Sequence, residues 1–212
     1  MKIVAIEREY GSGAANIGKT IADRLGWRFW DHEITNEIAR RLHCKAESVQ
    51  QREERMDSMF YRLMKAFMRG SFEAGVATPN LELLDAEQLS ILFEKVITQI
   101  AEGGNCVIIG RAAPWFLRER KDTFRVFLYA PSEEKFRRTL AQGKSRDETE
   151  NLLETVDRDR AAFIRKYYNK EWPDRYIYHM MLNVNCGDEI AVETILHCMR
   201  MQDARDAGVP AI

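Results

Sequence analysis

The chain has 212 residues and balances 32 Lys and Arg against 33 Asp and Glu, for a formal charge of −1. That length buries a real core and suits one domain, while a near-neutral chain carries no bulk positive field to hold a nucleic acid. Only Ile3 to Ile6 are apolar before Glu7-Arg8-Glu9, too short for a signal-peptide core, and no later run approaches membrane-spanning length. A cytoplasmic protein with no nucleic-acid or membrane partner is expected. Cys44, Cys106, Cys186 and Cys198 stand apart with no C-x-x-C pair, which suits reduced thiols rather than a zinc site or a disulfide framework.

The run Lys2-Ile3-Val4-Ala5-Ile6 reads as a strand, and Gly13-Ala14-Ala15-Asn16-Ile17-Gly18-Lys19-Thr20 behind it satisfies the phosphate-loop pattern G-x-x-x-x-G-K-[ST]. Glycines let consecutive backbone N–H groups turn onto a phosphate at the start of a helix. In that reading Gly11, Ser12 and the residues from Gly13 to Thr20 bind ATP, Lys19 brings a charge to the β- and γ-phosphates, and the Thr20 hydroxyl meets magnesium. Ile17, Ile21, Ala22 and Leu25 then recur at helical spacing up to Gly26.

Trp27 to Trp30 reads as a second strand. Asp31 ends it, either as the cap of a helix carrying Ile34, Ile38, Ala39 and Leu42, or as a group projecting where ligands bind in an open parallel sheet. A long helix is expected over 45–69, with a stripe of Met56, Met59, Phe60, Leu63, Met64, Phe67 and Met68. Gly70 to Asp85 reads as a flexible loop, and Ala86 to Ala101 as a helix stopped by Gly103-Gly104. Cys106 to Ile109 and Phe124 to Ala130 are buried strands, the first ending in Gly110-Arg111 and the second in Pro131. A helix opens at Ser132, and a very polar one runs from Arg146 to Tyr168. After a turn-rich connector, Lys170 to Arg175, come a last strand, Met180 to Val184, a last helix, Asp188 to Met199, and a tail expected to fray from Gln202. Strands alternating with helices argue an α/β fold with a parallel sheet covered on both faces.

On the polar helix, Arg158 and Arg165 are seven apart and share a face, with Arg160 round the side. An arginine cluster suits a transferring phosphoryl group, yet Glu154, Asp157 and Asp159 would equally balance a solvated helix.

Arg8-Glu9-Tyr10-Gly11-Ser12-Gly13 running into Ile17-Gly18-Lys19, with Phe29-Trp30-Asp31, Ile108-Ile109-Gly110-Arg111, Asp157-Arg158-Asp159-Arg160, Tyr167-Tyr168, Trp172, Asp174 and Leu182-Asn183, resembles the cytidylate kinase-like family. That family is a branch of the P-loop nucleoside monophosphate kinases, and the similarity covers about residues 1–40, 104–138 and 155–198. The resemblance implies a three-layer P-loop NTPase sandwich with a five-stranded parallel sheet, made of a core over 1–40 and 104–200, a helical monophosphate-binding insertion over about 41–103 and an arginine-bearing lid over about 143–175. It implies phosphoryl transfer from ATP, with magnesium, to a nucleoside monophosphate, cytidylate or deoxycytidylate first. By position Arg111 resembles the arginine that holds the acceptor phosphate, and Arg158, Arg160 and Arg165 resemble lid residues closing on both phosphates. Asp31 matches an aspartate near magnesium and the attacking oxygen. The chain departs from the pattern at Ile109, where such kinases carry an aspartate. A kinase for another small acceptor, and a nucleotide-binding regulator without transfer activity, stand as alternatives.

Overall fold

The computed structural model describes residues 1–31, 33–34, 37 and 86–208. Most of the helix expected after Asp31, Cys44, the helix over 45–69 with its methionine stripe and the loop from Gly70 to Asp85 lie outside the described residues. Five strands make one sheet: β1 (Ile3–Arg8), β2 (Arg28–Trp30), β3 (Cys106–Ile109), β4 (Thr123–Tyr129) and β5 (Met180–Asn183). Their order is β2-β3-β1-β4-β5, and every neighbouring pair is parallel. The helices are α1 (Ala14–Leu25), α2 (Ala86–Glu102), α3 (Ala113–Phe116), α4 (Ser132–Leu140), α5 (Arg146–Tyr168) and α6 (Asp188–Asp206).

β1 lies at the centre of the sheet and is buried along its whole length, as a strand covered on both faces must be. Its side chains alternate between two cores. Val4 and Ile6 join Ile17, Ile21 and Ala22 of α1 and Val192 and Ile195 of α6. Ile3 and Ala5 join Phe93, Val96, Ile97 and Ala101 of α2 and Phe163 and Ile164 of α5. The result is the expected three-layer α/β sandwich. No helix among the described residues is long and apolar enough to cross a membrane.

Three expectations change. α2 falls in the stretch assigned from sequence to the helical insertion, yet it packs its apolar face on the sheet as part of the core. α5 is polar in composition but buries one face through Leu152, Val156, Phe163 and Ile164, so it is not a fully solvated helix. The last helix continues beyond Met199 and Gln202 to Asp206, where Gln202 Nε2 donates to Asp206 Oδ1 at 2.9 Å across one turn.

Gly18 sits in the middle of α1, where glycine costs helix stability of about 1 kcal/mol relative to alanine. Packing explains it. A Cβ at this position would stand 2.5 Å from Ile109 Cδ1 and 3.2 Å from a ring carbon of Phe29. Ile109 is wholly buried, so the sheet comes this close only because residue 18 has no side chain. Gly18→Ala should therefore lower stability by about 1 kcal/mol net, overpacking outweighing the propensity gain. Urea unfolding measures it, and a variant at least as stable as the parent would refute the tight contact.

Candidate active site

The carboxyl end of β1 runs into a loop and then into the amino end of α1, and a cavity of about 280 Å³ lies over that junction. Residues 8–16 form its floor, Arg137, Arg138, Ala141 and Gln142 come from α4 and its end, and Arg160 comes from α5. Gly11 and Gly13 have φ of 75° and 82°, which side-chain-bearing residues rarely adopt, so both glycines are required by the turn. Gly13 caps α1, and the first full helical bond runs from the Ile17 N–H to the Gly13 carbonyl at 3.3 Å. The helix thus presents its first-turn amides, those of Ala14 and Ala15, and the positive end of its dipole to the cavity.

This register corrects the motif reading. Gly11 to Asn16 line the cavity as expected, but Ile17, Gly18, Lys19 and Thr20 lie inside α1, where their amides belong to the helix. Ile17 is core. The Lys19 side chain is 53% exposed and its ammonium pairs with Asp23 one turn on, away from the cavity. The Thr20 hydroxyl donates to the Asn16 carbonyl at 2.9 Å, and Thr20 does not line the cavity where a nucleotide-bound magnesium would be expected. With Gly13 as the junction glycine, the motif lysine and hydroxyl positions hold Ala14 and Ala15. Among the described residues no group of three or more His, Cys, Asp or Glu could hold a metal ion.

Positive charge arrives from other elements instead. The Arg138 Nε donates to Glu134 at 2.5 Å, and its NH2 forms an ion pair with Asp188 at 2.7 Å. Arg137 also holds Glu134, at 2.7 and 2.9 Å, and the two arginines keep that carboxyl at about 2, well below its ordinary value. Arg160 is buried, with NH1 on Asp157 at 3.0 Å and on the Arg8 carbonyl at 3.3 Å. Burial, reinforced by Arg8, pushes its guanidinium down to about 10 against the pull of Asp157 and Glu7, which leaves it charged at neutral pH. Both Asp157 oxygens accept the Tyr10 N–H, at 2.9 and 3.0 Å, and the Tyr10 ring packs on Leu152 and Val156. α5 is therefore docked on the loop through Asp157 and Arg160.

Arg158 and Arg165 do not join it. Their side chains are 60% and 69% exposed, and they pair with Asp159 and Glu171. Seven-residue spacing does place them on one face, but it is the solvent face. The stripe Leu152, Val156, Phe163 and Ile164 carries Arg160 inward, and that stripe was readable in the sequence. Arg137 and Arg138, outside the motif, are marked in sequence only by following a strand that ends at Pro131.

Beside the cavity, at the ends of β2 and β3, Arg111 and Asp31 come together. The Arg111 NH1 donates to Asp31 Oδ1 at 2.8 Å with both side chains fully buried, and Arg8 NH2 stands 4.0 Å from the same oxygen. Burial lowers the Arg111 pKa, countered by Asp31. Gly110, Arg111 and Ala112 have φ of 70°, 54° and 55°, a strained turn held by this pair. Neither Arg111 nor Asp31 lines the cavity. Ile109 faces α1 in the core, not the site.

The model of the cytidylate kinase-like family matches residues 3–185. No individual curated protein matches the chain at a significant level. Among solved structures, an uncharacterized protein from Eubacterium ventriosum is 20% identical, with a TM-score of 0.66 over 94% of this chain and 98% of that one. Shikimate kinase from Bacteroides thetaiotaomicron, 18% identical, gives 0.51 over 94% and 98%, and that from Acinetobacter baumannii, in complex with shikimate and also 18% identical, gives 0.52 over 94% and 93%. The sheet order, the glycine turn at the amino end of α1 and the family match agree: the chain has the P-loop kinase fold and belongs to the cytidylate kinase-like family.

Proposed function

We propose that the protein is a cytoplasmic phosphotransferase that moves the γ-phosphoryl group of ATP to a nucleoside monophosphate, with cytidylate or deoxycytidylate the first expected acceptor. The observation that carries this reading is the convergence on one cavity of a glycine turn, a helix amino end and Arg137, Arg138 and Arg160 from two other helices. Such a site suits a polyphosphate, because amides and guanidinium forks contact several oxygens at once. Phosphoryl transfer asks a protein mainly for alignment and charge neutralisation, not covalent chemistry. The loop amides would seat the donor phosphates, Arg160 would meet the charge that develops on the transferring group, and α5 would keep water off it. Magnesium enters as part of the ATP complex. Asp31 and Arg111, at the carboxyl edge of the sheet, mark the side from which the acceptor phosphate would approach.

A second reading, a nucleotide-binding regulator, draws on Ala14 and Ala15 at the helix start and on Ile109 in the core. The two are separated by incubating the protein with MgATP and a panel of nucleoside monophosphates and small metabolites, shikimate included, and following ADP. Acceptor-dependent ADP with a pyrimidine monophosphate is expected; tight ATP binding with no ADP from any acceptor would select the regulator. Arg160→Ala should cut kcat by about a hundredfold or more while changing ATP affinity only a few-fold. Equal losses in the two would place Arg160 in ground-state binding instead.

A further inference from the structure

The cavity receives its positive charge without the motif lysine, and one arginine is built to supply it. Of the three nitrogens of the Arg138 guanidinium, Nε is held by Glu134 and NH2 by Asp188, which turns NH1 onto the loop. NH1 lies so close over Gly13 that a Cβ there would collide with it. The side chain is only 16% exposed, so the fork is fixed and not a sweeping surface charge. Glu134 stands one helical turn before it on α4, and Asp188 opens α6, so the two carboxylates brace the arginine from two elements. Gly13 thus has two duties, turning the chain at φ 82° and making room for the guanidinium. Glu9, the one acidic side chain among the described residues that line the cavity, is already paired with Lys135 at 2.9 Å.

Resting on the reading of the cavity as the ATP site, we infer that Arg138 is the donor-phosphate ligand that stands in for the motif lysine, braced by Glu134 and Asp188, and that Lys19 takes no part. The substitution has a chemical consequence. A lysine on the first turn would bring a point charge from the helix itself, whereas a braced guanidinium offers a planar donor from across the cavity and cannot be deprotonated. Its grip depends on α4 and α6 being in place, so donor binding is tied to the packing of α6 on the sheet.

The test measures binding, not turnover, so that it does not depend on finding the acceptor. Calorimetry with magnesium and a non-hydrolysable ATP analogue, and separately with inorganic tripolyphosphate, is run on the parent, Arg138→Ala, Arg138→Lys and Lys19→Ala, each checked for folding by circular dichroism. Expected are a weakening of tenfold or more for Arg138→Ala with both ligands, and parent-like binding, within twofold, for Lys19→Ala. Arg138→Lys keeps a cation for Glu134 and Asp188 and covers failure of the alanine variant to fold. It should bind at least threefold more weakly, because one ammonium cannot satisfy both carboxylates and still reach the loop. Parent-strength binding by folded Arg138→Ala, or by Arg138→Lys, overturns the assignment, as does a tenfold loss in Lys19→Ala. A parent that binds neither ligand would overturn the ATP-site reading itself.

Discussion

Three guanidinium groups, those of Arg8, Arg111 and Arg160, are buried at the carboxyl edge of one sheet, and the way they are balanced governs the rest of the site. Removing an ion from water costs several kcal/mol, and the cost is offset only when partners are close and well aligned. The partners are Glu7, Asp31 and Asp157. They come from the end of β1, the end of β2 and the middle of α5, so satisfying the charges pins three distant stretches of chain to one place. Arg160 cannot leave Asp157 and the Arg8 carbonyl without stranding a charge, which keeps α5 seated on the loop.

The same docking shapes the cavity. Asp157 takes the Tyr10 amide with both oxygens, Tyr10 packs against Leu152 and Val156, and the loop between β1 and α1 is held from above by the helix that brings Arg160. From the other side, α4 brings Arg137 and Arg138 over the glycine turn. The cavity is therefore assembled from three helices and a loop instead of being carried by one contiguous motif. Arginine suits such an assembly: its fork meets carboxylates and phosphates with the same geometry, so a braced arginine keeps donors to spare for a ligand.

The misplaced lysine shows where a motif stops being physics. G-x-x-x-x-G-K-[ST] describes a backbone turn followed by a helix start, and its residues act only if the turn falls where the pattern says. Here the turn needs the positive φ of Gly11 and Gly13, the helix begins at Ala14, and the later Gly18 serves close packing under Ile109. The helical spacing of Ile17, Ile21, Ala22 and Leu25 already began before Gly18, so a helix running through that glycine was present in the apolar pattern even though the motif pointed elsewhere.

Local pattern alone determined the five strands, the burial of β3 and β4, the starts of the longer helices within a few residues, the glycine turn behind β1 and the arginine-bearing helix over Arg146–Tyr168, but not the short α3 or the seven residues by which α6 outruns Met199. These follow from periodicity and from the few residues that turns and caps accept, properties that a short segment carries with it. Tertiary structure decided which arginine of α5 faces the site, that Asp31 spends its carboxylate on Arg111, and that α4 delivers charge to the loop. A helix carries its period in its own residues, but its rotation and depth are settled by burying apolar faces and pairing charges with residues far away in the chain. Those choices exist only once the sheet has brought the partners together.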